Sequence, residues 1–329
     1  GLFLQQENFR GRLEKLHVKI RLGYQQESSL LYELPYLNKR KTIGAGMSLN
    51  YARHREVGYL TMENRLKYHR ADDFLLESFD AAIFLRLRPE IQISHTWQAG
   101  FHQLSVSDRL LQLNPDYTTG SEKQVRFAEV SYLLRTDFRD QRSYPLKGWY
   151  AEGLVSQQIP WEKNDPAFLS VKLLFRGYVP LSGKWNLAGS VSSRIVSEGK
   201  LPFHLSRALG YGRDYVRGYE YYVVDGGDYA VGKINLRYCL LGPSVMNLRR
   251  LTATQFNAVP YAVYTGVFFD GGKVWNSHGL PDNPLNRKFL GGAGLGVDFV
   301  TYYDKVFRVE FTLNAEGESG FFLHFMAAI

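Results

Sequence analysis

Along Lys233–Leu240 every second side chain is apolar or aromatic. Ile234, Leu236, Tyr238 and Leu240 fall on one face, and Lys233, Asn235, Arg237 and Cys239 fall on the other. An extended strand points successive side chains to opposite faces, so this is a strand with one face suited to hydrocarbon and one that carries charge. The same division returns near the end of the chain, where Phe307, Val309, Phe311 and Leu313 alternate with Arg308, Glu310, Thr312 and Asn314. Segments of about ten residues with this alternation, separated by turn residues, point to a transmembrane β-barrel.

Bulk composition bounds the reading without deciding it. The chain has 329 residues, 45% hydrophobic and 15% aromatic. Its mean hydropathy of -0.27 fits a soluble protein, and no apolar run approaches the roughly 18 residues that a membrane helix needs. A barrel strand, however, shows lipid only every second residue. The aromatic content suits girdles at the two membrane interfaces, and an array of soluble β-sandwiches is the alternative. The net charge of +8 raises nucleic acid as a partner, but Lys and Arg are scattered singly, with Asn38-Lys39-Arg40-Lys41 the densest group. A water-filled lumen and contact with anionic outer-membrane lipids explain that scatter, so no nucleic acid is expected. A single Cys239 allows no intramolecular disulfide. Leu2-Phe3-Leu4 is too short an apolar region for a secretory signal, so the chain reads as a mature form or a fragment.

Alternation and turn residues predict strands near 16–25, 28–36, 41–53, 55–61, 65–70, 74–87, 91–103, 124–137, 148–159, 168–179, 184–196, 228–241, 260–270, 289–300, 305–314 and 319–327. The fold class is all-β, an antiparallel barrel of about sixteen strands, and single-chain bacterial barrels have even numbers. Residues 1–15 are expected to be a short periplasmic segment and 16–329 the barrel, with no further domain boundary. Short connections at 88–90, 181–184 and 303–305 alternate with long ones at 104–123, 197–227 and 271–288. Long loops lie outside the cell and short turns in the periplasm. The 197–227 loop, rich in Gly, Tyr and Arg, is the expected functional loop.

Catalytic and metal patterns are absent. Histidines at 17, 54, 69, 95, 102, 204, 278 and 324 have no zinc-ligand spacing, and there is no Gly-x-Ser-x-Gly elbow. Gly210-x-Gly212 lacks the third glycine of a nucleotide loop. Asp225 and Asp228 read as solvated loop acids before they read as a calcium site. No enzyme activity, cofactor or metal is expected, although a Ser/His/Asp triad assembled from distant positions remains a third class of reading.

Inside the long loop stands Gly210-Tyr211-Gly212-Arg213-Asp214-Tyr215-Val216-Arg217-Gly218-Tyr219. Further along come Phe268-Phe269-Asp270-Gly271-Gly272, and earlier Asp137-Phe138-Arg139-Asp140 followed by Tyr144-Pro145-Leu146-Lys147-Gly148-Trp149-Tyr150. Glu33-Leu34-Pro35-Tyr36-Leu37 lies near the start, and Glu318-Ser319-Gly320-Phe321-Phe322-Leu323-His324-Phe325 near the end. In this order the motifs resemble those of the BamA/TamA superfamily of outer-membrane assembly and translocation barrels. They match its Val-Arg-Gly-Phe/Tyr loop, Phe-x-Asp-x-Gly strand, periplasmic turn, early Glu-Pro-x-Leu strand end (with one residue inserted after the Glu) and C-terminal β-signal. The usual β-signal ends the chain on an aromatic, whereas this chain continues through Met326-Ala327-Ala328-Ile329.

The resemblance implies that the 197–227 loop folds back into the lumen, held by a clamp of Val216, Arg217, Gly218 and Tyr219 against Phe268 and Asp270. Guanidinium and carboxylate can form a bidentate, charge-assisted pair, and a barrel of this size has room for a loop. It further implies a lateral seam between first and last strands, here Val18, Ile20 and Leu22 against Phe321, Leu323 and Phe325. The implied work is insertion or translocation of client outer-membrane or secreted polypeptides, with accessory periplasmic or lipoprotein partners. Relatives carry βααββ POTRA modules before the barrel, and residues 1–15 offer no room for one. A passive porin-like channel, or a partner barrel in a larger complex, is the alternative reading.

Overall fold

A computed structural model describes residues 1–162, 167–198, 200–247, 258–275, 283–301 and 305–325. Strands β1 (Leu2–Gln6), β2 (Lys15–Arg21), β3 (Gln25–Leu34), β4 (Ile43–His54), β5 (Glu56–Met62) and β6 (Arg65–Arg70) lead into β7 (Leu76–Glu90) and β8 (Ile93–Val106). A short helix, α1 (Asp108–Leu113), precedes β9 (Gln124–Asp137), β10 (Gly148–Pro160), β11 (Leu169–Pro180) and β12 (Trp185–Val196). Then come β13 (Arg207–Leu209), β14 (Val224–Asp225), β15 (Asp228–Asn247), β16 (Ala258–Trp275), β17 (Leu290–Thr301), β18 (Lys305–Asn314) and β19 (Ser319–His324). Fifteen of these form one sheet in the order β1-β2-β3-β4-β7-β8-β9-β10-β11-β12-β15-β16-β17-β18-β19. Every neighbouring pair is antiparallel. The chain is all-β and has a barrel architecture, with the 197–227 loop turned into the lumen.

Polarity is inverted relative to a soluble protein. Ile234 and Phe269 face each other in register on the outer surface and are 56% and 65% exposed, while their neighbours Lys233 and Asp270 pair in register on the buried inner face. In β18 the charged residues Arg308 and Glu310 are buried and Phe307 and Leu313 are exposed. Water would penalise so much contiguous apolar surface, whereas hydrocarbon accepts it and the sheet satisfies the backbone groups internally. No helix among the described residues is long and apolar enough to cross a membrane, and the strands make the crossing.

The predicted strands at 55–61 and 65–70 exist, as β5 and β6, but pair only with each other. Glu63 and Asn64 between them both have positive φ (52° and 55°), the twist of a tight two-residue hairpin that folds each strand onto the other. The sheet instead gains β1, which lies inside the 1–15 stretch expected to precede it. Leu2-Phe3-Leu4 has no alternation to reveal it, and register with β2 (Leu2 opposite Ile20, Leu4 opposite Val18) makes it a strand.

That extra strand moves the sheet edge. Val18 and Ile20 lie in β2, hydrogen-bonded between β1 and β3, and Leu22 falls just past the end of β2. Among the described residues the N-terminal half of the expected seam is therefore interior, and the outermost strands of the sheet are β1 and β19. Because directions alternate across fifteen strands, β1 and β19 run in the same sense. Antiparallel pairing of one directly with the other is thus excluded.

Long connections cap one end. Val57, Leu75, Val106, Leu110, Tyr117 and Phe203 pack together there, drawing the 55–75 and 107–123 segments onto the start of the 197–227 loop. His204 sits in this cap with Nδ1 2.8 Å from the Tyr117 carbonyl, and its Nε2 is buried without a partner. Burial pushes its pKa down to about 4 from the ordinary 6.5 of an imidazole. A pKa lowered by folding means that the unfolded chain binds more protons. The neutral imidazole therefore stabilises the cap above about pH 6.5, and that contribution, about 3 kcal/mol at most, is lost as pH falls toward 4. Thermal stability in detergent should fall through this interval, and His204→Gln should flatten that part of the profile. An identical profile in the variant would contradict the assignment.

Candidate functional site in the lumen

The 197–227 loop leaves β12 on the capped side and returns to β15 after folding into the barrel. Its short β13–β14 pair and Val216 and Tyr219 pack with Tyr229, Val231, Val274, Leu285 and Leu290, so the loop carries its own apolar core against the wall. At its tip Arg217 is 1% exposed. The guanidinium donates from Nε to Asp270 Oδ2 at 2.8 Å and from Nη2 to Asp270 Oδ1 at 2.5 Å. Nη1 reaches Glu310 at 3.0 Å, Nη2 also reaches Asn235 at 2.7 Å, and the backbone N–H of Arg217 donates to Asp270 at 3.1 Å. The Phe268 ring lies under the guanidinium at 3.7 Å, within cation–π range.

One cation thus meets two carboxylates, an amide and a ring drawn from β15, β16 and β18. These three charges would each be costly to bury alone, and the surrounding bonds offset that cost without guaranteeing a net gain. The alternation places these partners: Asn235, Asp270 and Glu310 occupy inward positions of β15, β16 and β18, with only β17 between the last two. Val216, Arg217, Gly218, Tyr219, Phe268 and Asp270 therefore come together at one place.

Close approach of backbones is what the glycines serve here. Gly218 has φ +91°, in the left-handed region where a side chain would be strained, and its carbonyl accepts from Asn314 Nδ2 at 2.9 Å. A Cβ on Gly292 would lie 1.9 Å from the Arg217 carbonyl oxygen.

Motif reading missed three further anchors. Asp214 accepts from Lys172 (2.6 Å), Ser192 (2.7 Å) and Tyr229 (2.7 Å). The Lys233 ammonium stands 4.0 Å from the centre of the Tyr215 ring. Asn64 at the β5–β6 tip donates to the Val223 carbonyl and to Asn286, both at 3.1 Å, and accepts from Leu285 N–H at 2.9 Å. Only the inward parity of Lys172, Ser192 and Lys233 along their strands could have pointed to the first two. Nothing local marks Asn64, whose partners are more than 150 residues away.

Phe321 and Leu323 lie on the outer face of β19, at one sheet edge, with Phe325 just beyond it; Phe321 packs on Phe311 and Phe325 on Phe307. The final Met326-Ala327-Ala328-Ile329 falls outside the described residues, as does most of the 303–305 turn. On the inner side of β19, His324 Nε2 is 3.2 Å from Glu310 Oε2, without hydrogen-bond geometry. Tyr215 of the loop stacks against His324, and Tyr221 meets Phe322 in a tilted ring contact.

Of the loop acids, Asp225 accepts from Tyr211 and Asp228 accepts from the Val196 N–H at 2.8 Å. Among the described residues no cluster of three His, Cys, Asp or Glu is arranged to hold a metal. His102 Nδ1 meets Asp80 at 2.7 Å, but its Nε2 has no partner, so this pair lacks a hydroxyl nucleophile.

A family model, the Omp85 superfamily domain, matches residues 8–301. This chain belongs to the Omp85 superfamily. No curated protein sequence matches it. Among solved structures this Omp85 chain is similar to BamA from Haemophilus ducreyi lacking POTRA domains 1-3. The TM-score is 0.64 and the identity 17%, over 97% of this chain and 65% of that one. It is also similar to CdiB from Acinetobacter baumannii, with a TM-score of 0.53 and 12% identity, over 94% of this chain and 52% of that one. The Omp85 chain thus spans less than two thirds of the first and about half of the second. At such identities the likeness is one of fold. An Omp85 barrel with a lipid-facing apolar exterior is an outer-membrane protein.

Proposed function

We propose that this barrel inserts or translocates polypeptides at the outer membrane, and that the edges β1 and β19 form the seam at which it does so. The observation that carries the reading is that β1 and β19, the outermost strands among the described residues, are each paired on one side only, so each offers an edge to an incoming strand. Exposed strand edges template an incoming strand by β-augmentation, and in hydrocarbon an unpaired edge is costly enough to drive pairing. The loop supports this reading. Tyr215 and Tyr221 brace the inner face of β19, and Arg217 shares Glu310 with His324. The plug and the edge strand are therefore mechanically linked, and a loop filling the lumen argues against a passive pore. Clients are outer-membrane or secreted polypeptides, and accessory periplasmic or lipoprotein partners deliver them.

A thiol cross-link between a cysteine placed in β1 and one in β19, in a Cys239→Ser background, tests the seam. Assembly of a barrel client into vesicles should be abolished when the edges are tethered and should return on reduction. Undiminished assembly with the tether in place would sink the proposal.

A further inference from the structure

Five arginines gather at the periplasmic end of the lumen, opposite the cap. Arg86 and Arg88 project inward from β7, Arg135 from β9, and Arg139 and Arg142 belong to the turn between β9 and β10. With Tyr150 and Asp137 they line a cavity of about 320 Å³. Asp137 holds Arg139 in a bidentate pair (2.7 and 2.9 Å) and also takes Arg142 at 3.2 Å. Glu33 takes Arg86 at 2.5 Å and Glu152 takes Arg135 at 3.0 Å. Three carboxylates thus serve four guanidiniums. The Arg88 guanidinium donates to the Ile91 carbonyl, at 3.1 Å, and has no ion pair among the described residues.

The excess continues along the wall. Arg176 of β11 stands 5.9 Å from the Tyr150 ring centre, with its Nε buried and without a partner. Arg142 is mostly exposed, its side chain 79% accessible, and stands at the mouth. Clustered charge of one sign inside a low-dielectric wall focuses the field and concentrates counter-ions. A guanidinium is the group whose planar fork matches a carboxylate with two parallel bonds.

We infer that this pocket receives acidic side chains of a polypeptide entering the lumen from the periplasm. Arg142 captures them at the mouth, and Arg88 and Arg176 bind them further in. The inference rests on the reading of the barrel as one that handles polypeptides. The pocket lies on the inner face of the sheet, away from the lipid surface, so a lipid head group is not its occupant. The Asp137-x-Arg139 turn acquires a second use here, since Asp137 fixes Arg139 as a wall of the pocket.

The test uses fluorescent peptides of equal length, one carrying several Glu and one carrying Gln at the same positions. Binding to the purified protein in detergent is followed by anisotropy. The Glu peptide should bind at least about tenfold tighter, the discrimination expected from one or two charged hydrogen bonds, and should weaken as salt is raised. Arg88→Gln combined with Arg142→Gln should reduce its affinity about tenfold, with heat-modifiable mobility reporting that the barrel is folded. Equal binding of the two peptides by the unaltered protein would overturn the inference, whatever the variant does. So would displacement by inorganic phosphate as effective, mole for mole, as unlabelled peptide, since that would mark a site for small anions. Either failure leaves the edge cross-link experiment untouched, so the two readings fail separately.

Discussion

Arg217→Ala releases the 197–227 loop from the lumen and costs about 3–5 kcal/mol, the usual loss when one partner of a buried ion pair is removed. The size follows from what is left behind. Asp270 and Glu310, both almost fully buried, lose their shared cation, and Asn235 loses its donor. The Phe268 face is also uncovered. Arg217→Lys should recover only part of the loss, because an ammonium cannot span Asp270, Glu310 and Asn235 with the same fork. Limited proteolysis at the loop and the temperature of heat-modifiable unfolding measure the two effects. A loop as protected in Arg217→Ala as in the unaltered protein would defeat the clamp.

Two adjacent glycines in β17 should respond in opposite ways to the smallest substitution available. Gly292 faces the lumen, and an added methyl would collide with the Arg217 carbonyl at 1.9 Å; Gly291 faces outward, where the nearest atom is the Ala315 methyl at 3.7 Å. Backbone cannot retreat as a flexible side chain can, so Gly292→Ala must lift the loop tip off the wall. The cost is about 3 kcal/mol, the upper end of overpacking. Gly291→Ala should be nearly neutral. Equal thermal stability and equal loop protection for both variants would show that the loop tip does not press on β17.

Much of this arrangement can be read in the chain. Period-two alternation is a local property, so Ile234 with Phe269, and Lys233 with Asp270, could be sorted to outer and inner faces before any pairing was known. The order of motifs likewise singled out Arg217 and Asp270. The β5–β6 hairpin was mistaken for wall strands because its pattern is a strand pattern. Only the positive φ at Glu63 and Asn64, and the partners of Asn64 across the cap, remove it from the sheet. The edge was misplaced for the opposite reason: Leu2-Phe3-Leu4 carries no alternation, and pairing with β2 alone makes it a strand.

By itself the sequence determined the class of solvent on each face of the wall, and with it a membrane cylinder with charge inside. Tertiary structure decided which charges meet. Arg217 lies 53 residues from Asp270 and 93 from Glu310, and register between strands, not spacing along the chain, brings them within reach. It also decided that Val18 and Ile20 stand between two neighbours, since a strand's place in a sheet is defined by what it pairs with. Side-chain parity is set by each residue's own backbone, whereas register and edges are set by contacts between segments that only the folded chain brings together.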